Sequence, residues 1–90
     1  MNAERRKELN HAIELVNDAQ SNLEEAANII ESCRGEEEEY MDNMPENLQE
    51  SDRYYRAEEA IESMENAEEV IQDILSTIED AANSLDEATS

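Results

Sequence analysis

Apolar residues recur every seven positions in the first half of the chain. The larger residues are Leu9, Val16, Leu23 and Ile30, and a smaller series three positions later is Ala12, Ala19, Ala26 and Cys33. Two apolar series within one seven-residue repeat are typical of a helix that packs along a stripe against another helix. The first half therefore predicts one long amphipathic helix.

The second half of the chain repeats the design. Its larger series is Met64, Ile71, Ile78 and Leu85, and its flanking series is Ala60, Ala67, Ile74, Ala81 and Ala88. Two long helices joined by a short linker form an antiparallel hairpin. The predicted fold is therefore all-α, a coiled-coil-like two-helix hairpin with an Ala-rich seam.

Capping and helix-breaking residues set the predicted boundaries. These are residues 3–42 for the first helix, residues 43–51 for the linker and residues 52–88 for the second helix. Asn2 and Ser51 can each accept hydrogen bonds from the first turn of the helix that follows. Pro45 prevents the first helix from continuing. We expect Gly35 to be tolerated inside that helix at a cost of about 1 kcal/mol.

Additional apolar residues widen the stripe on each helix. Leu15 and Ile29 lie beside the seam of the first helix, and Val70 and Ile74 beside that of the second. A widened stripe suits a four-helix arrangement, and a lone two-helix hairpin buries too little for more than marginal stability. We therefore expect a homodimer in which two hairpins form a four-helix bundle.

Composition adds a strong acidic imbalance to this picture. The chain has 26 acidic and 6 basic residues, a net charge of -20, and neither Phe nor Trp. Such a composition is typical of disordered chains, but the seven-residue pattern predicts an ordered rod with its carboxylates outside. The basic residues are confined to the start of the chain and to the hairpin tip: Arg5, Arg6, Lys7, Arg34, Arg53 and Arg56.

One line of carboxylates follows the second helix at spacings of three or four. Its members, the predicted acidic face, are Glu58, Glu62, Glu65, Glu69 and Asp73. Such neighbours share a helix face and repel one another. Three explanations remain open: a solvated face, adaptation to high salt, or a surface that meets a strongly basic protein. Because a net charge of magnitude about 2 to 8 suffices to keep a small domain soluble, the third deserves a test.

The charge density of the rod favours a particular kind of partner. A net charge of -20 on a rod of about 57 Å gives one charge per about 3 Å, against about 1.7 Å for duplex DNA. The chain is thus a candidate nucleic-acid mimic that inhibits a nucleic-acid-binding protein. We expect it to bind neither nucleic acids nor anionic membranes directly, because phosphate affinity depends on Lys and Arg.

The hairpin tip is a second candidate site. It gathers Tyr40, Met41, Met44, Leu48, Tyr54 and Tyr55. These side chains either close the end of the core or contact a partner, in which case Tyr40, Met44 and Tyr55 would form the contact. An alternative function follows, that of a structural or assembly protein that binds through its apolar seam and tip.

We expect no enzyme activity, cofactor or metal site. His11 is the only histidine, so zinc ligation lacks a second ligand at a suitable spacing. Cys33 occupies an alanine-type position, which predicts a small buried thiol. A lone Cys fits a reducing cytosol, and no apolar run is long enough for a signal peptide or a membrane span. A cytoplasmic location is expected.

The tip sequence EEYMDNMPENLQES, residues 38–51, is followed by Arg53-Tyr54 and an acidic, Ala-rich helix. It resembles a group of small helical proteins encoded by phages of Gram-positive bacteria. The resemblance covers roughly residues 30–80, and its specific part is the linker motif from Asn43 to Ser51. That group has no assigned activity or catalytic residues. The resemblance implies a phage setting, in which we expect a host defence protein as the target and the host cytoplasm as the location. Gly35 departs from the polar helix former expected there.

Overall fold

The computed structural model describes all 90 residues and shows two long antiparallel helices joined by a short linker. Helix α1 spans Ala3–Asp42 and helix α2 spans Asp52–Thr89, with a short 3-10 turn at Glu46–Leu48 between them. The hairpin is a rod of 70 × 15 × 15 Å. The predicted all-α helical hairpin is confirmed.

Side-chain caps define the beginnings of both helices. The backbone N–H of Arg5 donates to the Oδ1 atom of Asn2 at 2.8 Å. At α2, the N–H of Tyr54 donates to the hydroxyl of Ser51 at 3.4 Å. Each cap satisfies one of the amides that the first helical turn leaves without a partner.

The end of α1 lies at the linker and not at Gly35. The N–H of Asn43 donates to the carbonyl oxygen of Glu39 at 3.0 Å, which completes the last turn. Gly35 lies within the helix without a positive φ angle. It therefore does not act as a left-handed C-cap, which is the usual role of glycine near a helix end.

The seam between the helices contains the larger apolar series of both halves. Leu9, Val16, Leu23 and Ile30 of α1, and Met64, Ile71, Ile78 and Leu85 of α2, are all half-buried. The companion series differs from the prediction. It follows each larger residue at a spacing of four, and it consists of Ile13, Gln20, Ala27, Arg34 and Met41 in α1 and Ile61, Glu68, Leu75, Ala82 and Thr89 in α2.

The predicted alanine series lie beside the seam, where Ala12, Ala19, Ala26 and Ala67 are still half-buried. Cys33, Ala60, Ile74, Ala81 and Ala88 are exposed, so the expectation of a buried Cys33 thiol is wrong. The physical reason is size. The true companion series brings Ile13, Met41, Ile61 and Leu75 into the seam, where large side chains bury more apolar area than alanine does.

In an antiparallel pair, equivalent flanking positions of the two helices meet on the same side of the rod. The displaced alanine series and the widened stripe consequently share one side, which we call the apolar face. It is formed by Ala12, Leu15, Ala19, Ala26, Ile29 and Cys33 of α1 and by Ala60, Ala67, Val70, Ile74, Ala81 and Ala88 of α2. The larger side chains on this face are far from buried, with exposures of 56% for Leu15, Ile29 and Val70 and 40% for Ile74.

The hairpin is closed at its tip by the only two buried residues, Met44 and Ala57, which are 8% and 3% exposed. Met44 is one of the predicted partner contacts, and its burial leaves its side chain little surface for that role. The first explanation for the tip, closure of the core, holds for Met44.

Replacing Gly35 by alanine tests the continuity of α1. A Cβ atom at this position would meet no atom within 4 Å. We expect Gly35→Ala to raise the free energy of unfolding by about 0.5–1 kcal/mol, because alanine loses less backbone entropy in a helix. Thermal unfolding followed by circular dichroism measures the change. A lower midpoint would contradict a continuous helix through this residue.

Candidate functional site: an acidic groove between the helices

The side of the rod away from the apolar face carries a groove with acidic residues from both helices. We call it the acidic groove. It has a volume of about 350 Å³ and is lined by Ala27, Asn28, Glu31, Glu65, Glu68, Glu69 and Gln72. Glu31 comes from α1 and the other three carboxylates come from α2, so pairing of the helices is what brings them together.

Four of the five residues of the predicted acidic face lie on this side. Glu65 and Glu69 line the groove, and Glu58 and Glu62 lie one seven-residue repeat earlier, hence on the same side of α2. Asp73 is placed differently. It borders a depression of about 330 Å³ on the apolar face, together with Val70, Ile74, Thr77, Ile78 and Ala81.

A single arginine bridges the helices at the edge of the groove. The Nε atom of Arg34 donates to Glu68 at 2.8 Å, and its Nη1 atom donates to Glu38 at 2.8 Å. Arg34 and Glu68 both occupy the seam, where they are half-buried. The hydrogen bonds to Glu68 and, second, to Glu38 raise the pKa of Arg34 above its usual range. The guanidinium therefore keeps its charge at every pH of interest.

The other basic side chains do not neutralise the carboxylates of the rod. Among Lys and Arg, only Arg34 lies within 4.0 Å of an acidic group. All five members of the predicted acidic face are exposed. Because exposed charges at this spacing are separated by less than the Debye length of about 8 Å at physiological salt, their fields add. The groove side of the rod therefore presents a continuous negative surface.

Sequence reasoning missed Glu31 and Glu68 as part of this surface. The sequence does contain a signal for Glu68. Arg34 follows Ile30 by four residues and Glu68 follows Met64 by four, so two opposite charges occupy equivalent positions of the two helices and can pair across the seam. Glu31 cannot be identified from the sequence pattern alone, because it is remote in sequence from the α2 carboxylates that it joins. Its place in the groove is evident only when the alignment of the two helices is known.

At the tip, two of the three predicted contact residues are accessible. Tyr40 is 47% exposed and Tyr55 is 51% exposed. The ring of Tyr55 packs edge to face on that of Tyr54, with the centroids 6.0 Å apart. Tyr54 is half-buried, so this contact holds Tyr55 in a defined position against the hairpin.

The remaining chemistry of the chain forms no further cluster. No three His, Cys, Asp or Glu side chains are grouped so that they could hold a metal ion. Neither helix is apolar enough over a sufficient length to cross a membrane. His11 is exposed and lies 3.8 Å from Glu14.

Comparison with known proteins adds no information about the fold or the acidic groove. No protein-family model matches the chain, and no curated protein or solved structure shows significant similarity to it.

Removing the bridging arginine tests its role in pairing the helices. We expect Arg34→Met to lower the thermal midpoint, because Glu68 then remains half-buried in the seam without its partner. Arg53→Met makes the same change in charge at a residue that forms no ion pair, and it should leave the midpoint nearly unchanged. The double variant Arg34→Met/Glu68→Met should recover the loss. Equal midpoints for the two single variants would show that the bridge contributes nothing.

The salt dependence of stability tests whether repulsion opposes the fold. We expect the thermal midpoint to rise by several degrees between ~10 mM and ~200 mM NaCl, because screening weakens repulsion among exposed carboxylates. Circular dichroism at constant protein concentration provides the measurement. A midpoint that falls over this range would mean that attractive ion pairs dominate the electrostatics of the rod.

Proposed function

We propose that the chain is a non-enzymatic module that binds a strongly basic protein surface through its acidic groove and the carboxylates that continue it. The observation that carries this proposal is the unbroken exposure of Glu58, Glu62, Glu65 and Glu69 beside Glu31, with one arginine as the only ion-paired cation. Such a surface attracts clusters of Lys and Arg and accelerates their association.

The charge density supports a nucleic-acid-binding protein as the partner. A net charge of -20 over a rod of 70 Å is one charge per about 3.5 Å, whereas duplex DNA has one per about 1.7 Å. Two fully overlapping copies would carry one charge per about 1.8 Å, close to the value for duplex DNA. The proposed binding unit is therefore a homodimer that occupies the nucleic-acid site of its target.

The biological setting of this proposal comes from the tip motif. The resemblance of residues 38–51 to small phage-encoded helical proteins favours a host defence protein, or another host nucleic-acid-binding protein, as the target. Inhibition would then take place in the cytoplasm of the host cell. The chain itself binds no nucleic acid in this proposal, because its few basic residues are not gathered on the groove side.

Charge reversal tests the proposed function. The chain is immobilised in its folded form, host lysate is passed over it at low salt, and bound proteins are eluted with duplex DNA. We expect Glu58→Lys/Glu62→Lys/Glu65→Lys/Glu69→Lys to lose the proteins that DNA elutes while its helicity is kept. A matched control reverses four exposed acids away from the groove side, Asp18, Glu25, Asp80 and Glu87, and reaches the same net charge.

The two variants separate a specific acidic surface from net charge alone. Retention by the control and loss by the groove-side variant would support the proposal. Equal retention by both variants, or capture that duplex DNA does not reverse, would overturn it.

A second candidate function is supported by the exposed tyrosines at the tip. A structural or assembly protein would bind through Tyr40 and Tyr55, and its complexes would survive high salt and duplex DNA. In that case Tyr55→Ala would abolish capture and the charge reversal would not.

A further inference from the structure

The hairpin exposes more surface than a compact protein of the same mass. The hairpin exposes 6792 Å², whereas a compact globular protein of its mass, 10.3 kDa, exposes about 5,400 Å². The excess is about 1,400 Å² per chain. With only Met44 and Ala57 buried, the hairpin lacks an interior of its own.

The apolar face is the part of this surface that water solvates least favourably. Leu15 and Ile29 of α1 and Val70 and Ile74 of α2 lie on it, separated mainly by alanine. From Ala60 to Ala88 the face extends over about 42 Å of α2. With a rod width of 15 Å, it offers about 600 Å² per copy, so two copies would bury about 1,200 Å² in total. This lies at the lower limit of stable protein interfaces.

The distribution of charge favours the approach of a second copy to this face over its approach to the acidic groove. The acidic groove lies on the other side of the rod, so apposing two apolar faces keeps both grooves outside and far apart. The face also consists of alanine beside larger aliphatic residues, a composition that lets helices of two copies pack closely.

The ends of the rod select the orientation of the second copy. Leu9 and Thr89 are both half-buried at the open end of the seam, so the first turn of α1 extends beyond the end of α2. This extension carries Arg5, Arg6 and Lys7, which form no ion pair, against a single acid, Glu4.

The tip at the opposite end of the rod is acidic on balance, because its exposed acids outnumber its two exposed arginines, Arg53 and Arg56. Asp42, Glu46, Glu50 and Asp52 are exposed there. With the two tips at opposite ends, each basic extension lies beside the acidic tip of the other copy. With the tips at the same end, like charges would lie together at both ends of the dimer.

We propose that the apolar face, centred on Ile29 and Val70, is the interface of a homodimer whose two hairpins lie with their tips at opposite ends. The assignment of this face and orientation rests on apolar exposure and on the end charges. This proposal is independent of the target proposed for the acidic groove, because its test measures the mass of the isolated protein and a distance within it.

Sedimentation equilibrium of the full chain tests the interface. At a concentration on the order of 100 µM, we expect the wild type to have twice the chain mass. Ile29→Glu/Val70→Glu should weaken dimerisation at least about 100-fold, because each copy would bury unpaired charges. Asn28→Glu/Gln72→Glu adds the same two charges to the acidic groove and should remain dimeric.

Three results would overturn the interface: a monomeric wild type, a dimeric Ile29→Glu/Val70→Glu variant, or equal weakening in both variants. If the Ile29→Glu/Val70→Glu variant unfolds, the dependence of the wild-type thermal midpoint on protein concentration tests the dimer instead. A homodimer that stabilises the hairpin requires that midpoint to rise with concentration, and a constant midpoint would contradict it.

The orientation is tested by a distance between tips. A spin label is attached to Asn47→Cys in a Cys33→Ala background, and electron–electron double resonance measures the separation within the dimer. Tips at opposite ends of a rod of 70 Å should be on the order of 60 Å apart. A distance of about 30 Å or less would place the tips at the same end and overturn the proposed orientation.

Discussion

The seam between α1 and α2 has to hold together a chain whose exposed charges repel one another. A net charge of -20 opposes compaction, and only Met44 and Ala57 are buried in return. A long, thin hairpin meets both demands, because it keeps the carboxylates far apart along 70 Å while each seven-residue repeat adds one more layer of apolar contact. The bridge from Arg34 to Glu68 adds a specific contact that fixes which residues of the two helices face each other.

The register of that seam also determines the two sides of the rod. Once Ile61 and Leu75 pack toward α1, the alanine series and the larger residues Ile29 and Val70 turn to one side. Glu31 and Glu65 turn to the other side and meet across the groove. Separation of apolar and acidic surfaces is what allows a two-sided molecule, with one side available to a second copy and the other to a basic partner.

The sequence was sufficient to predict the helices, because their pattern repeats over many turns and their ends carry strong signals at Asn2, Pro45 and Ser51. It was insufficient to identify the companion series of the seam. Apolarity alone favours the alanine series, since the true series contains Gln20, Arg34, Glu68 and Thr89. Those polar residues are tolerated because they are only half-buried and because Arg34 and Glu68 satisfy each other.

The misassigned series explains why a buried Cys33 thiol was expected, whereas Cys33 lies exposed on the apolar face. Asp73 is exposed like the rest of the predicted acidic face. It borders the depression beside Val70 and Ile74 because two successive spacings of four, from Glu65 to Glu69 and on to Asp73, carry the line of carboxylates around the helix. The burial of Met44 has another cause: the linker folds back over the end of the hairpin, which no periodic pattern within a helix predicts. Glu31 was missed because its neighbours in the groove come from the other helix.

The most direct test of a rod with one self-associating side is the reactivity of its only thiol. Cys33 is exposed in the hairpin and lies on the apolar face, so association through that face shields it. The rate of Cys33 alkylation should therefore fall as protein concentration rises through the range in which the dimer forms. A rate that stays constant while the mass doubles would show that the copies associate elsewhere and would contradict the account.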